Sequence, residues 1–230
     1  MASAIADRLA TIRARIAAAA RSAGRDPSSI RLVAVSKTFS IEAVREAYAA
    51  GQREFGENRV QEALQKIASS ADLGISWHLL GHLQTNKVKK AAPAFSTIHS
   101  VDSVELLQKI DAAATDAGRA PELLIQVDLA GEATKFGVAP ADVPPLFDAA
   151  VRCRAARVTG LMTLPPIPES PEDARPWFRR LRELRDQWLA MGVPPAMLAE
   201  LSIGMSGDFE VAIEEGSTIV RVGTAIFGAR

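Results

Sequence analysis

Two hydrophobic periods take turns along this chain. Near the start, Ile5, Leu9, Ile12 and Ile16 recur at steps of four, three and four. That is one stripe of a helix over 4–23, with Arg8, Arg13, Arg15 and Arg21 off the stripe and Gly24 and Pro27 ending it. The next run, RLVAVSK over 31–37, has the period of two: Val33, Val35 and Lys37 share one face, and Leu32, Ala34 and Ser36 the other. Both faces are largely apolar, as in a parallel strand covered on both sides. The alternation then repeats. Strands are predicted over 54–57, 77–81, 97–101, 123–128, 158–164, 201–205 and 219–222, and helices over 41–50, 60–69, 86–92, 103–117, 141–152 and 209–215. Another helix follows the proline-rich stretch LPPIPESP. Ser170 caps it and Pro171 takes its first position. Trp177, Leu181, Leu184, Trp188 and Met191 form its expected buried stripe, and Gly192 and Pro194 stop it.

Strand–helix alternation implies a parallel sheet, and eight such units in about 200 residues fit a closed (β/α)8 TIM-type barrel better than an open sheet. With no dividing linker, 1–230 reads as one α/β domain. The eighth strand lacks a following outer helix, and the N-terminal helix (1–24) is expected to cover that gap or lie beside it.

Composition narrows the class. Hydrophobic residues make up 48% of the 230, enough for a sizeable core. Lys+Arg and Asp+Glu both number 27, so there is no basic excess of the kind nucleic-acid binding requires. One cysteine, Cys153, rules out an intrachain disulfide and points to a reducing compartment. There is no signal-like apolar core at the N-terminus and no run of the ~18 apolar residues a membrane span needs. The expectation is a cytoplasmic protein that binds neither nucleic acid nor membrane.

Barrels of this kind carry their chemistry at the C-terminal ends of the strands. Those ends supply Lys37, Glu57 and Asn58, Gly81 and His82, Asp128, Met162 and Thr163, Met205 to Gly207, and Arg221, Gly223 and Thr224. MSGD at 205–208 and GTAIFG at 223–228 read as phosphate cradles after the seventh and eighth strands, offering backbone N–H groups beside a hydroxyl. Taken singly, these glycines and serines also fit ordinary turns, and Lys37 also fits a strand-end lysine reaching into water. Taken together, a strand-end lysine, a phosphate site and an arginine on the last strand point to pyridoxal phosphate, whose aldehyde a lysine amine can capture. Ile219, Arg221 and Gly223 share a face, which allows Arg221 to point inward. A fixed guanidinium charge beside the pyridine nitrogen keeps that nitrogen unprotonated and the ring a weak electron sink.

The same stretches resemble the pyridoxal phosphate homeostasis protein family (YggS-like, PROSC-type), whose members are similar to the barrel domain of alanine racemase standing alone. The resemblance rests on AVSKT at 34–38, FGENRVQE at 55–62, WHLLGHLQTNK at 77–87, TKFG at 134–137, GLMT at 160–163 and IGMSGDFEVAIEEGSTIVRVGTAIFG at 203–228. It implies a fold type III pyridoxal phosphate barrel in which Lys37 carries the cofactor as an internal aldimine. It further implies that Ser206, Gly207, Gly223 and Thr224 bind the phosphate, Arg221 faces the pyridine nitrogen, and Asn58 and Met205 lie close to the ring. His82 is a pocket-rim candidate.

The implied role is intracellular vitamin B6 homeostasis, holding pyridoxal phosphate and passing it to cofactor-accepting apo-enzymes. The alternative is a small pyridoxal phosphate-dependent amino-acid racemase. Racemisation usually needs a second base on the opposite face, which alanine racemases supply as a tyrosine from a second domain. The only tyrosine here, Tyr48, falls in the helix after the first strand. No dedicated catalytic residue is therefore assigned, and without a dimerising domain a monomer is expected. A metal site at His78 and His82 is disfavoured, because their spacing of four suits a helix and the local pattern is a strand. The loop over 164–171 reads as either a lid or a connection.

Overall fold

A computed structural model describes residues 4–131 and 136–228. Eight strands close in sequence order into a parallel barrel: β1 (Arg31–Val35), β2 (Glu54–Glu57), β3 (Ser76–Leu79), β4 (Thr97–Val101), β5 (Glu122–Gln126), β6 (Arg157–Met162), β7 (Glu200–Ser202) and β8 (Ile219–Val222). Closure is made by β8 on β1, with Val33 opposite Arg221. The helices are α1 (Ala4–Ser22), α2 (Ile41–Ala49), α3 (Val60–Ser69), α4 (Val88–Ala91), α5 (Val104–Asp116), α6 (Pro144–Ala150), α7 (Arg175–Ala190), α8 (Phe209–Glu214) and α9 (Thr224–Phe227).

The period of two sorts each strand between two environments. Ala34, Phe55, Trp77, Ile98, Leu123 and Val220 point outward and join the core beneath the helices. Val33, Leu124, Met162 and Ile219 point inward and form a small apolar cluster of their own, with Leu164 packed against it. A barrel interior is a packed core rather than a pore. Here one side of it is apolar and the other, as described below, is hydrogen-bonded.

The N-terminal helix does what its stripe suggests. Ile5, Leu9, Ile12 and Ile16 are all buried, each burial being worth roughly 1.5–3 kcal/mol relative to exposure. α1 packs against α2, α8 and α9, at the place where a longer helix after β8 would lie. Arg15 pairs with Glu210 at 2.6 Å and lies over the Phe209 ring at 4.7 Å, while Arg13 donates to the Ala50 carbonyl at 2.9 Å. β8 is nevertheless followed by a helix, the single turn α9.

Three expectations need correction. In α7 the buried stripe is Phe178, Leu181, Leu184 and Trp188. Trp177 lies one position, about 100° of helical rotation, away from it and is only half-buried, and Met191 falls beyond the last helical residue and is 75% exposed. The first strand ends at Val35, so Lys37 sits in a turn just past it. The seventh strand is only Glu200–Ser202, because the chain turns away at Gly204 (φ +92°), where a Cβ would lie 2.5 Å from the Ala212 side chain.

Candidate functional site

The turn carrying Lys37 is held from both sides. Ser36 before it donates its hydroxyl to Glu57 Oε1 at 2.7 Å, and the Thr38 N–H after it donates to Glu62 Oε1 at 2.6 Å. Buried Lys66 of α3 ties the two carboxylates together. Its ammonium donates to Glu57 Oε1 (2.7 Å), Glu62 Oε1 (2.9 Å) and the Ser36 carbonyl (2.8 Å). Burial raises the Glu57 carboxyl above its ordinary range, against the opposing pull of Lys66 and Ser36. Thr38 has φ +68°, the one non-glycine residue among those described in the left-handed region. A β-branched residue there is strained, and such strain persists only where the surroundings over-determine it. The network does so on either side of the lysine.

Opposite lies the loop from β7 to α8. Asp208, buried, accepts from the Met205 N–H at 2.5 Å and closes the loop on itself. This presents Ser206, whose Oγ accepts from the N–H groups of Gly223 (3.2 Å) and Ala225 (3.5 Å) after β8. Those two amides orient Ser206, leaving its hydroxyl proton free to donate to an anion at this corner. Arg221 projects from β8 beneath that corner. Its Nη1 donates to the Ser202 carbonyl (2.5 Å) and Ser202 Oγ (2.6 Å), and its Nη2 to the Thr163 carbonyl (3.1 Å). Burial pushes its pKa down to about 10, with the nearby Asp208 charge opposing the shift; it remains a cation at neutral pH.

Asn58 follows β2 and stands against Gly81. A Cβ on Gly81 would meet the Asn58 carbonyl oxygen at 2.1 Å, so only glycine permits this approach. All eight residues named as binding candidates from the sequence, Lys37, Asn58, Met205, Ser206, Gly207, Arg221, Gly223 and Thr224, line one cavity of about 480 Å³ at the C-terminal mouth of the barrel. Val35, Leu80 and Leu164 complete it. The loop over 164–171 thus contributes Leu164 to the wall, while its Ile167 is exposed to solvent.

Other strand-end residues go elsewhere. His82 lies in an adjoining hollow of about 670 Å³ that shares Asn58 with the cavity; its ring stacks on Phe136 (3.7 Å between centroids) and its Nδ1 is 3.3 Å from Asp102. Asp128 caps a turn by accepting from the N–H groups of Ala130 and Gly131. His78 points into the barrel against His99 while His82 faces Asp102, and no cluster of three or more metal-ligating residues exists among those described. Thr134 and Lys135 of the TKFG stretch lie outside the described residues. The sequence reading missed Lys66, whose signal was its position on the buried side of α3, and His99, whose signal was an inward position in a fully buried strand.

Residues 8–230 match the model of the alanine racemase N-terminal domain. The pyridoxal phosphate homeostasis protein of Aquifex aeolicus is 46% identical over 97% of this chain and 97% of its own, and that of Pseudomonas aeruginosa 46% identical over 99% and 96%. The chain belongs to the pyridoxal phosphate homeostasis protein family. Among solved structures, PipY of Synechococcus elongatus with pyridoxal phosphate bound superposes with a TM-score of 0.86 at 42% identity, covering 97% of this chain and 100% of that one. Alanine racemase of Clostridium difficile shares the fold, with a TM-score of 0.74 at 17% identity; this chain covers 57% of it. The homeostasis relatives are thus matched along nearly their whole length and the racemase over little more than half of its own.

Proposed function

We propose that this protein binds pyridoxal 5'-phosphate at the C-terminal mouth of its barrel and serves intracellular vitamin B6 homeostasis rather than a dedicated reaction. Lys37 would hold the aldehyde end covalently. Ser206, Gly207, Gly223 and Thr224 would receive the phosphate, Arg221 would face the pyridine nitrogen, and Asn58 and Met205 would lie along the ring. The residues present suit the group: an amine on one wall, an oriented hydroxyl donor on another, and a buried guanidinium below, around about 480 Å³. When bound, the cofactor supplies an electrophilic carbon and an electron-accepting ring. Arg221, a fixed cation donor, limits the second property.

One observation carries the preference for holding over turnover. Among the described residues lining the cavity, Lys37 and Arg221 are the only titratable side chains. Tyr48 is outside, its hydroxyl accepting from the Gly74 N–H at 3.3 Å and its ring covered by Arg53. Among the described residues, no second proton-transfer group stands opposite the lysine, as racemisation would need. The same reading makes the protein a cytoplasmic monomer of one domain, 1–230, that gives up its cofactor to apo-enzymes; among the described residues no helix is long and apolar enough to cross a membrane.

The test is the visible absorbance of the protein mixed with pyridoxal phosphate, with Lys37→Ala beside it. A band present in the wild type and lost in the variant is expected. A wild type with no band, or a band that survives the substitution, refutes the assignment of Lys37. Exchange of an amino acid's α-proton into deuterated water at enzyme-like rates would instead favour the racemase reading.

A further inference from the structure

Inside the barrel a polar column runs beneath the cavity. Arg221 Nη1 donates to Ser202 Oγ at 2.6 Å, Ser202 Oγ lies 2.9 Å from His99 Nδ1, and His99 Nε2 lies 2.9 Å from His78 Nδ1. His78 Nε2 then faces Glu54 Oε2 at 3.8 Å, at the opposite mouth of the barrel. Ser202, His99 and His78 come from β7, β4 and β3, and all three are buried. Nothing in the site described above uses the two histidines.

The chemistry of the two ends gives this column one direction. A guanidinium can only donate, so Ser202 Oγ accepts from Arg221. The serine hydrogen then needs an acceptor, and among the described residues His99 Nδ1 is the one within reach. His99 therefore carries its hydrogen on Nε2 and donates to His78 Nδ1, and His78 in turn carries its hydrogen on Nε2, facing a carboxylate. The reverse direction would leave a buried serine hydrogen without an acceptor and set an imidazole lone pair against the Glu54 carboxylate. Only one direction gives the serine hydrogen an acceptor and turns an N–H, rather than a lone pair, toward the carboxylate 3.8 Å away. Burial keeps both rings neutral: it pushes His78 down to about 3, assisted by the Arg31 charge, and His99 well below its ordinary value, assisted by His78, Arg221 and Arg31.

We propose that Ser202, His99 and His78 are positioning residues for Arg221, forming a one-directional hydrogen-bonded column that turns acceptor ends toward the guanidinium and fixes where it points. Aligned bonds polarise one another, so the column carries the influence of the Glu54 carboxylate toward a cation that has no direct carboxylate partner among the described residues. The part of this concerning the bound ligand rests on the proposed function; the direction of the column does not.

The experiment is nitrogen NMR of the histidine-labelled protein without added ligand, followed by pyridoxal phosphate titration of Ser202→Ala and Ser202→Thr. In the wild type, the two column histidines are expected as neutral rings protonated on Nε2 throughout about pH 5–8, where exposed histidines titrate. In Ser202→Ala, the His99 Nδ1 resonance should move toward that of an imidazole nitrogen with no donor. Pyridoxal phosphate should then bind about tenfold more weakly, the usual scale for one hydrogen bond to a charged group. Ser202→Thr, which keeps the hydroxyl, should restore both. A column histidine protonated on Nδ1, or one titrating in that range, overturns the proposal, as does a Ser202→Ala protein with unchanged resonance and affinity. A wild type that takes up no pyridoxal phosphate defeats the proposed function instead, and the NMR result still decides the column.

Discussion

Two strand arginines, Arg31 at the N-terminal mouth of the barrel and Arg221 at the C-terminal mouth, are treated in opposite ways. At the N-terminal mouth Arg31 of β1 stands among three carboxylates from other strands: Glu200 at 3.3 Å, Glu122 at 3.8 Å and Glu54 at 3.9 Å. Its charge is consumed within the protein. At the C-terminal mouth Arg221 of β8 is held by two carbonyls and one hydroxyl. Neutral oxygens fix its direction without neutralising it, so its charge remains available to a ligand. The same residue type, on adjacent strands of one sheet, serves as a plug at one end and as a recognition group at the other. The difference lies in what the neighbouring strands place beside it.

Acid should produce the largest effect, through the column joining the two ends. His78 sits at about 3 in the folded chain against an ordinary 6.5. Below pH 6.5 the unfolded chain therefore takes up a proton that the folded chain refuses, and stability falls as pH falls. At pH 5 this amounts to about 2 kcal/mol for His78, with a further loss of the same sign from His99. Urea unfolding at pH 7 and pH 5 measures it; equal stabilities would mean that the rings are not held neutral. A smaller loss, about 2 kcal/mol at pH 7, is expected for Arg31→Leu, which leaves three partly exposed carboxylates facing one another. Because burial and its acidic neighbours already raise Glu54 against the pull of Arg31, that deficit should shrink as the pH is lowered and Glu54 takes up a proton. Its uptake of pyridoxal phosphate should be close to wild type. Arg221→Gln should invert this pattern. It removes a desolvated charge while keeping a donor, so thermal unfolding should register a change of only about 1 kcal/mol or less, while cofactor affinity drops by about tenfold. If Arg221→Gln proved the less stable of the two and bound normally, the contrast between plug and recognition group would collapse. Smallest of all, Cys153 is pushed up to about 11 by burial and by the Asp111 charge, and should react with iodoacetamide more slowly at pH 8 than a peptide cysteine does.

The sequence made the barrel and the cavity legible for a common reason. Eight strands with known ends, plus the rule that chemistry gathers at those ends, are enough to bring Lys37, Asn58 and the 205–207 and 221–224 segments to one mouth, since each depends only on its own strand. Errors arose where a neighbouring helical position competes, as at Trp177 beside Phe178: both are large and apolar, and only packing against the barrel selects the latter. The polar column and the clasp around Lys37 were not legible, because each requires partners far apart in the chain. His78, His99 and Ser202 meet only after β3, β4 and β7 are placed around a closed interior, and Lys66 reaches Ser36 only when α3 folds over β1 and β2.

The seating of α1 also sets an order of events during synthesis. Its apolar stripe is made well before one of its main partners, α8; about 190 residues separate Ser22 from Phe209. At translation rates of roughly 5–20 residues per second, Leu9, Ile12 and Ile16 wait some ~10–40 seconds for that surface to exist. During that interval the nascent chain displays an amphipathic helix whose stripe α2 can only partly cover, the kind of segment a ribosome-associated chaperone recognises.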